Sequence, residues 1–208
     1  MENKSTQTLG AQSPGAQSLH TRNLVLLGLL TAIVAVLQMI GAAIRFGPFS
    51  ISLVLMPIVV GAALIGAGAG AWLGLAFGFA VLLSGDAGAF LVVDPVGTVV
   101  VVLLKGALAG LAAGITYRLF SGKGKTLAAV LAGAICPITN TGIFILGSYI
   151  FFIPTLTLWG EAAGFPNVTS FIFFGMVGFN FIFEFALNLI LSPVIVRLIQ
   201  YGQDRRNR

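Results

Sequence analysis

The sequence predicts an all-α polytopic membrane protein, a compact bundle of six transmembrane helices with both termini cytoplasmic, and three observations carry that expectation. Only 8% of the 208 residues are charged, while 58% are hydrophobic; an ordinary soluble domain carries about 25% charged residues. The charges also crowd to the ends. Three lie before Asn23 and five from Arg197 onward, which leaves nine for the whole stretch between. Finally, the apolar runs have membrane length, since about 20 residues at about 1.5 Å of rise cross a hydrocarbon core of about 30 Å. A soluble enzyme, a disordered chain and a nucleic-acid binder are excluded together, and the net charge of +5 reads as an orientation signal.

Residues 1–22, rich in Ser, Gln, Gly and Thr, are expected to form a flexible cytoplasmic tail. The polar lead is long and the apolar run after it is a full span, so a secretory signal is not expected. The membrane domain covers residues 23–200, and residues 201–208 form a basic cytoplasmic tail. Span one is Leu24–Ile44, closed by Arg45. From Ile51 to Ser84 the chain runs 34 residues without a charge; as one straight helix this would reach about 51 Å, too long for a single crossing. Gly66, Gly68 and Gly70 sit in its middle, so it divides into spans 50–65 and 69–84. Asp86, Gly88, Asp94 and Pro95 mark a loop, and span four covers 97–119. A basic turn, Ser121-Gly122-Lys123-Gly124-Lys125, leads to span five at 127–153, where Pro137 predicts a kink. Pro154–Ser170 is expected as a loop, and span six covers 171–198.

Charge parity tests this division. Six spans place both tails and the 118–125 turn on one side, together with nine of the eleven Lys and Arg. The other side keeps Arg45 with Asp86, Asp94 and Glu161. Positive charge on the cytoplasmic side supports six spans.

Several motifs fail on inspection. Gly124-Lys125-Thr126 ends like a phosphate-binding loop, but Leu119 occupies the position of its required first Gly and no strand precedes it. One Cys (Cys136) and one His (His20) exclude a disulfide framework and a zinc site built from this chain. No nucleophile and base can be paired, so an enzyme is not expected, and no cofactor is implied.

Gly66, Gly70, Gly74 and Gly78 recur every four residues, as do Gly106, Gly110 and Gly114. Each set shares a helix face and permits close approach of another backbone. Internal bundle packing is the plainer reading, and a surface that slides against a partner is the other. Span one carries a lighter stripe, Gly28 and Ala32, with Thr31 and Ala35 beside it, and its place at the edge of the sequence makes it the better partner surface.

Two charges lie within spans, Lys105 and Glu184; each costs about 2.5–3.5 kcal/mol at mid-span on insertion scales. Asn180, Glu184 and Asn188 follow at steps of four along span six, on a stripe that drifts about 40° per step. Span five adds Thr139, Asn140 and Thr141. Lys105 lies about 10 Å below the outer end of span four. Lys105, Asn140, Asn180 and Glu184 can therefore meet in one pocket open to the outside. A structural Lys105–Glu184 pair, and a Lys105 that snorkels outward, stay open beside it. Phe46, Phe90, Tyr149 and Trp159 offer rings for such a pocket, although Tyr and Trp at this depth also suit an interfacial belt.

Read in order, several stretches resemble one known family: the stripe on span one, Arg45-Phe46-Gly47-Pro48-Phe49-Ser50-Ile51-Ser52-Leu53, Gly61-Ala62-Ala63-Leu64-Ile65-Gly66, Gly70-Ala71-Trp72-Leu73-Gly74, Cys136-Pro137-Ile138-Thr139-Asn140-Thr141-Gly142 and Asn188-Leu189-Ile190-Leu191-Ser192-Pro193. Together they are similar to the substrate-binding S component of energy-coupling factor (ECF) vitamin transporters, over residues 22–200. The resemblance implies a multi-pass subunit of a bacterial plasma membrane that binds a vitamin or related metabolite near its outer face. It also implies docking onto a transmembrane T component and two ATPase subunits. Docking in that family uses a small-xxx-small motif on helix one, matched here by Gly28 and Ala32 with Ala35 beside them, while Val36 departs from the pattern. The implied pocket is formed by helices four to six and the outer loops, which meets the cluster of Lys105, Asn140, Asn180 and Glu184, with Phe46 and Tyr149 at its edge. The alternative function is a proton-coupled secondary transporter with Glu184 as the proton carrier. Against it, the two halves show no clear inverted repeat.

Overall fold

The computed structural model describes residues 14–43, 45–46, 49–50 and 53–206, with side-chain surroundings at 21–43, 53–178, 181–190 and 194–201. Helix α1 spans Pro14–Ala43 and is followed by a two-residue antiparallel pair, β1 (Arg45–Phe46) with β2 (Phe49–Ser50). Then come α2 (Leu55–Leu64), α3 (Ala67–Leu83), α4 (Gly88–Val93), α5 (Pro95–Phe120), α6 (Lys125–Phe151), α7 (Ile153–Ala162) and α8 (Val168–Ser170). A π-helical segment at Phe171–Val177 leads into α9 (Gly178–Arg206).

Four of the described helical stretches are long and apolar enough to cross a membrane: Thr21–Ala43, Pro95–Phe120, Lys125–Phe151 and Val168–Ile190. Helices α2 and α3 are apolar but shorter, at 10 and 17 residues, or about 15 and 25 Å at about 1.5 Å per residue. The uncharged 51–84 run does divide where its glycines cluster. Gly66 takes φ +133°, outside the range an L side chain adopts readily, and separates α2 from α3.

The two glycine ladders pack against each other inside the bundle. A Cβ on Gly70 would strike the backbone of Gly110, one on Gly74 the carbonyl of Gly106, and one on Gly114 the backbone of Ala67. Helices α3 and α5 therefore touch backbone to backbone, which supplies van der Waals contact where lipid gives no hydrophobic drive. Around this seam lies the larger core, with Leu55, Ile58, Leu73, Ala109, Ala132 and Ile195 buried. A smaller cluster gathers Phe152, Leu156, Ile172 and Val177 at the other end of α6.

Two expected loops are corrected. Residues 154–170 contain helix α7, which starts with Pro154 in its first turn and buries Leu156 and Gly160. Pro at a helix start fills a position whose N–H has no intrahelical acceptor, so it begins this helix rather than marking a loop. The 86–95 segment holds the short helix α4, and Asp94 ends it and caps α5 by accepting from the Gly97 N–H at 2.9 Å. Helix α6 runs through Pro137 without interruption. At the ends, α1 takes in residues from Pro14 and α9 continues to Arg206, so helix reaches into both segments expected as tails.

Candidate functional site

A cavity of about 390 Å³ opens between the C-terminal end of α3 and helices α4, α5, α6, α7 and the π-helical segment. Helix phase explains its α5 wall. Thr98, Val101, Val102 and Lys105 all line it, at the spacing that puts residues on one face. Gly106, the next residue, is held against Gly74, so the backbone that carries Lys105 is fixed by the ladder. The Lys105 Nζ lies 5.7 Å from the Phe77 ring centre and 5.5 Å from that of Phe144, both cation–π distances.

From α6 come Asn140, Thr141 and Phe144. Asn140 is 7% exposed, and its Oδ1 is buried without a hydrogen-bond donor among the described residues. Phe90 on α4 organises the aromatic wall. Its ring meets Phe144, Phe152 and Trp159 edge-on, at centroid separations of 5.8, 4.9 and 5.7 Å, the geometry favoured by ring quadrupoles. Phe171 and Phe181 complete a lining of six aromatic side chains. Asp86 stands in the wall as well; its Oδ2 accepts a hydrogen bond from Gln38 Nε2 of α1 at 3.3 Å.

The structure brings Lys105 and Asn140 together in the cavity wall, with Phe90 and Trp159. Glu184 lies outside the lining. It is 4% exposed on α9, acts electrostatically on Lys105 and Cys136, and its carbonyl accepts from Asn188 Nδ2 at 2.9 Å. Tyr149 also stands apart from the lining; its hydroxyl donates to Thr169 Oγ1 at 3.0 Å. The side chains of Phe46 and Asn180 lie outside the described residues. Sequence reasoning missed Thr98, Phe152, Phe171, Met176 and Phe181, and took Asp86 only as an orientation charge. Stepping by three and four from Lys105 would have found Thr98, Val101 and Val102.

A second surface lies on α1. Leu30, Val34 and Gln38 are buried against the bundle, whereas Gly28, Ala32 and Val36 are exposed on the opposite face and Ala35 is half-buried. Nothing stands within 4 Å of a Cβ built on Gly28.

Comparison with curated proteins and with solved structures gives no match. Residues 22–196 match the sequence model of the family described as the ECF transporter substrate-specific component. An apolar helical chain with a partly polar internal cavity and a match over most of its length belongs to that family: it is a substrate-specific ECF transporter component, a membrane transport subunit rather than an enzyme.

Proposed function

We propose that this subunit crosses a bacterial plasma membrane six times, with α2 and α3 as its second and third crossings and both termini in the cytoplasm. It takes a vitamin or related small metabolite from outside into the α3–α7 cavity and delivers it through a T component and two ATPase subunits. The observation that carries this reading is the separation of two surfaces. The cavity with Lys105 and Asn140 lies inside the bundle, and the stripe of Gly28 and Ala32, with Ala35 at its edge, lies on the outward face of α1. One surface suits a small ligand, the other the close approach of a partner helix.

In this reading Lys105 and Asn140 contact the ligand and Glu184 balances Lys105 from behind. Phe46 and Asn180 add to the same site. Tyr149, through Thr169, holds the segment that carries Phe171.

The test is to coexpress the chain with T and ATPase subunits and read assembly and ligand binding separately. Ala32→Trp is expected to reduce co-purification with the module by about tenfold or more and to leave ligand binding within about twofold. Asn140→Ala is expected to do the reverse. Loss of binding from Ala32→Trp, or loss of assembly from Asn140→Ala, would overturn the division of labour. A wild-type chain that neither binds a ligand nor assembles would overturn the function itself.

A further inference from the structure

Helix α1 buries Leu30, Val34 and Gln38 against the bundle, at steps of four that share one helix face. The first two are what an apolar core asks for. Gln38 is not. It is 3% exposed, and of the described side chains on α1 it is the one polar group that is buried. A buried amide is stable only where its polar atoms find partners, so the partners of this one identify its role.

Those partners belong to the turn between α3 and α4. The Gln38 Nε2 donates to Asp86 Oδ2 at 3.3 Å and to Ser84 Oγ at 3.4 Å. The Ser84 hydroxyl donates its own proton to the Val81 carbonyl at 3.1 Å, so its oxygen meets Gln38 as an acceptor. An amide nitrogen carries two N–H bonds, one for each of the two acceptors. Each contact is long, and it is the pair that seats the amide between two oxygens. Gly85 lies between Ser84 and Asp86 with a φ of +75°, a conformation that L side chains rarely adopt. The sharp turn it permits brings both neighbours to the same group.

Gly85, Asp86 and Ala87 all line the cavity, whereas no described residue of α1 does. Among the described lining residues Asp86 is the one carboxylate and Lys105 the one cation. A charged group can select a ligand only where neighbours that are themselves fixed hold it to within about 0.5 Å. We infer that Gln38 is a positioning residue of the ligand site: from behind the wall it holds the 85–87 turn and fixes the Asp86 carboxylate in the cavity lining. It touches no ligand itself. This inference rests on the ligand-binding reading proposed above.

The test needs no knowledge of the ligand. Two buried lining residues report on different walls: Ala87, 5% exposed in the turn, and Val177, 8% exposed on the π-helical segment. In a Cys136→Ala background, Ala87→Cys or Val177→Cys is purified in detergent, and its rate of reaction with a soluble maleimide is measured. A buried thiol reacts through local opening, so the rate follows the open population. Gln38→Met removes the donor and keeps the length and volume of the side chain. It is expected to speed labelling at Ala87→Cys by about tenfold or more, the size of one lost hydrogen bond to a charged group. Val177→Cys should stay within about twofold. Asp86→Ala breaks the same contact from the other side and should raise the Ala87→Cys rate similarly. Adding Gln38→Met to Asp86→Ala should then change the rate by no more than about twofold. Co-purification with the T and ATPase subunits confirms that each variant is folded.

Unchanged labelling at Ala87→Cys in Gln38→Met overturns the inference. An equal rise at Val177→Cys overturns it as well, since Gln38 would then hold the bundle as a whole rather than the turn. So do effects of Gln38→Met and Asp86→Ala that multiply in the double variant. If Gln38→Met does not fold, Asp86→Ala decides: a rise confined to Ala87→Cys supports the contact, and no rise, or the same rise at Val177→Cys, overturns it. The transport reading stands through all of these results. It fails on a different one, a wild-type chain that neither binds a ligand nor assembles.

Discussion

Gly74 and Gly106 face each other across the α3–α5 seam so closely that a Cβ on either would collide with the carbonyl of the other. The obstacle is backbone, which cannot rotate away as a side chain can, so Gly74→Ala or Gly106→Ala must push two helices apart. A loss of about 1–3 kcal/mol is expected for such overpacking, read as a lower midpoint of thermal unfolding in detergent. Gly133 on α6 is the control, since nothing stands within 4 Å of its Cβ position. Gly133→Ala should be neutral or stabilising, by up to about 1 kcal/mol from helix propensity alone. Equal losses at Gly74 and Gly133 would show that the seam is not what makes the ladder glycines necessary. Because Lys105 neighbours Gly106, a seam variant that still folds should also weaken ligand binding. Asp94 gives a smaller effect of another kind. Its carboxylate caps α5 through the Gly97 N–H, and Asp94→Ala is expected to lower stability by about 0.5–2 kcal/mol in the same assay.

Helix α7 shows how an element can belong to the site through packing alone. It places Trp159 in the cavity wall, and Leu156, one turn earlier and fully buried, fixes the helix against Phe152 and Ile172. Leu156→Ala should cost about 2–5 kcal/mol and should also lower ligand affinity, since Trp159 loses its fixed place. Unchanged affinity in binding measurements would mean that α7 covers the cavity without contributing to it. This helix also marks where sequence reading stops. The apolar segments could be read because membrane length and charge scarcity are properties of the chain itself, and Lys105 and Asn140 stood out because polar groups in such segments are expensive. Pro154 misled because the same residue starts helices and interrupts them. Phe171 and Phe181 gave no signal because the many Phe around 171–185 point in every direction. Which of them faces the cavity depends on the π-helical turn at Phe171–Val177, a shift of phase that a regular helical period does not contain.

At the scale of the molecule, the short helices α2 and α3 decide the number of crossings. Helix α2, about 15 Å long, spans only half of a hydrocarbon core of about 30 Å, so α2 and α3 could either cross in turn or dip in and return. The charge distribution does not distinguish these, because a re-entrant pair and two full crossings leave every other segment on the same side. The junction does. If α2 and α3 both cross, Gly68 reaches the cytoplasmic surface beside the basic 118–125 turn; if they dip and return, it lies within lipid. Gly68 is exposed, with nothing within 4 Å of its Cβ position, so Gly68→Cys should fold normally. In a Cys136→Ala background, Gly68→Cys and Gly122→Cys are expected to resist a membrane-impermeant maleimide in intact cells and to react once the membrane is opened. Ala162→Cys, exposed beyond the far end of α6, should react in intact cells. A Gly68→Cys that stays unreactive after opening, while Gly122→Cys reacts, would replace the six-crossing arrangement with a re-entrant one. The bilayer thinning that two full crossings by such short helices demand would then fall away, while Pro95–Phe120, Lys125–Phe151 and Val168–Ile190 keep the length to cross in either case.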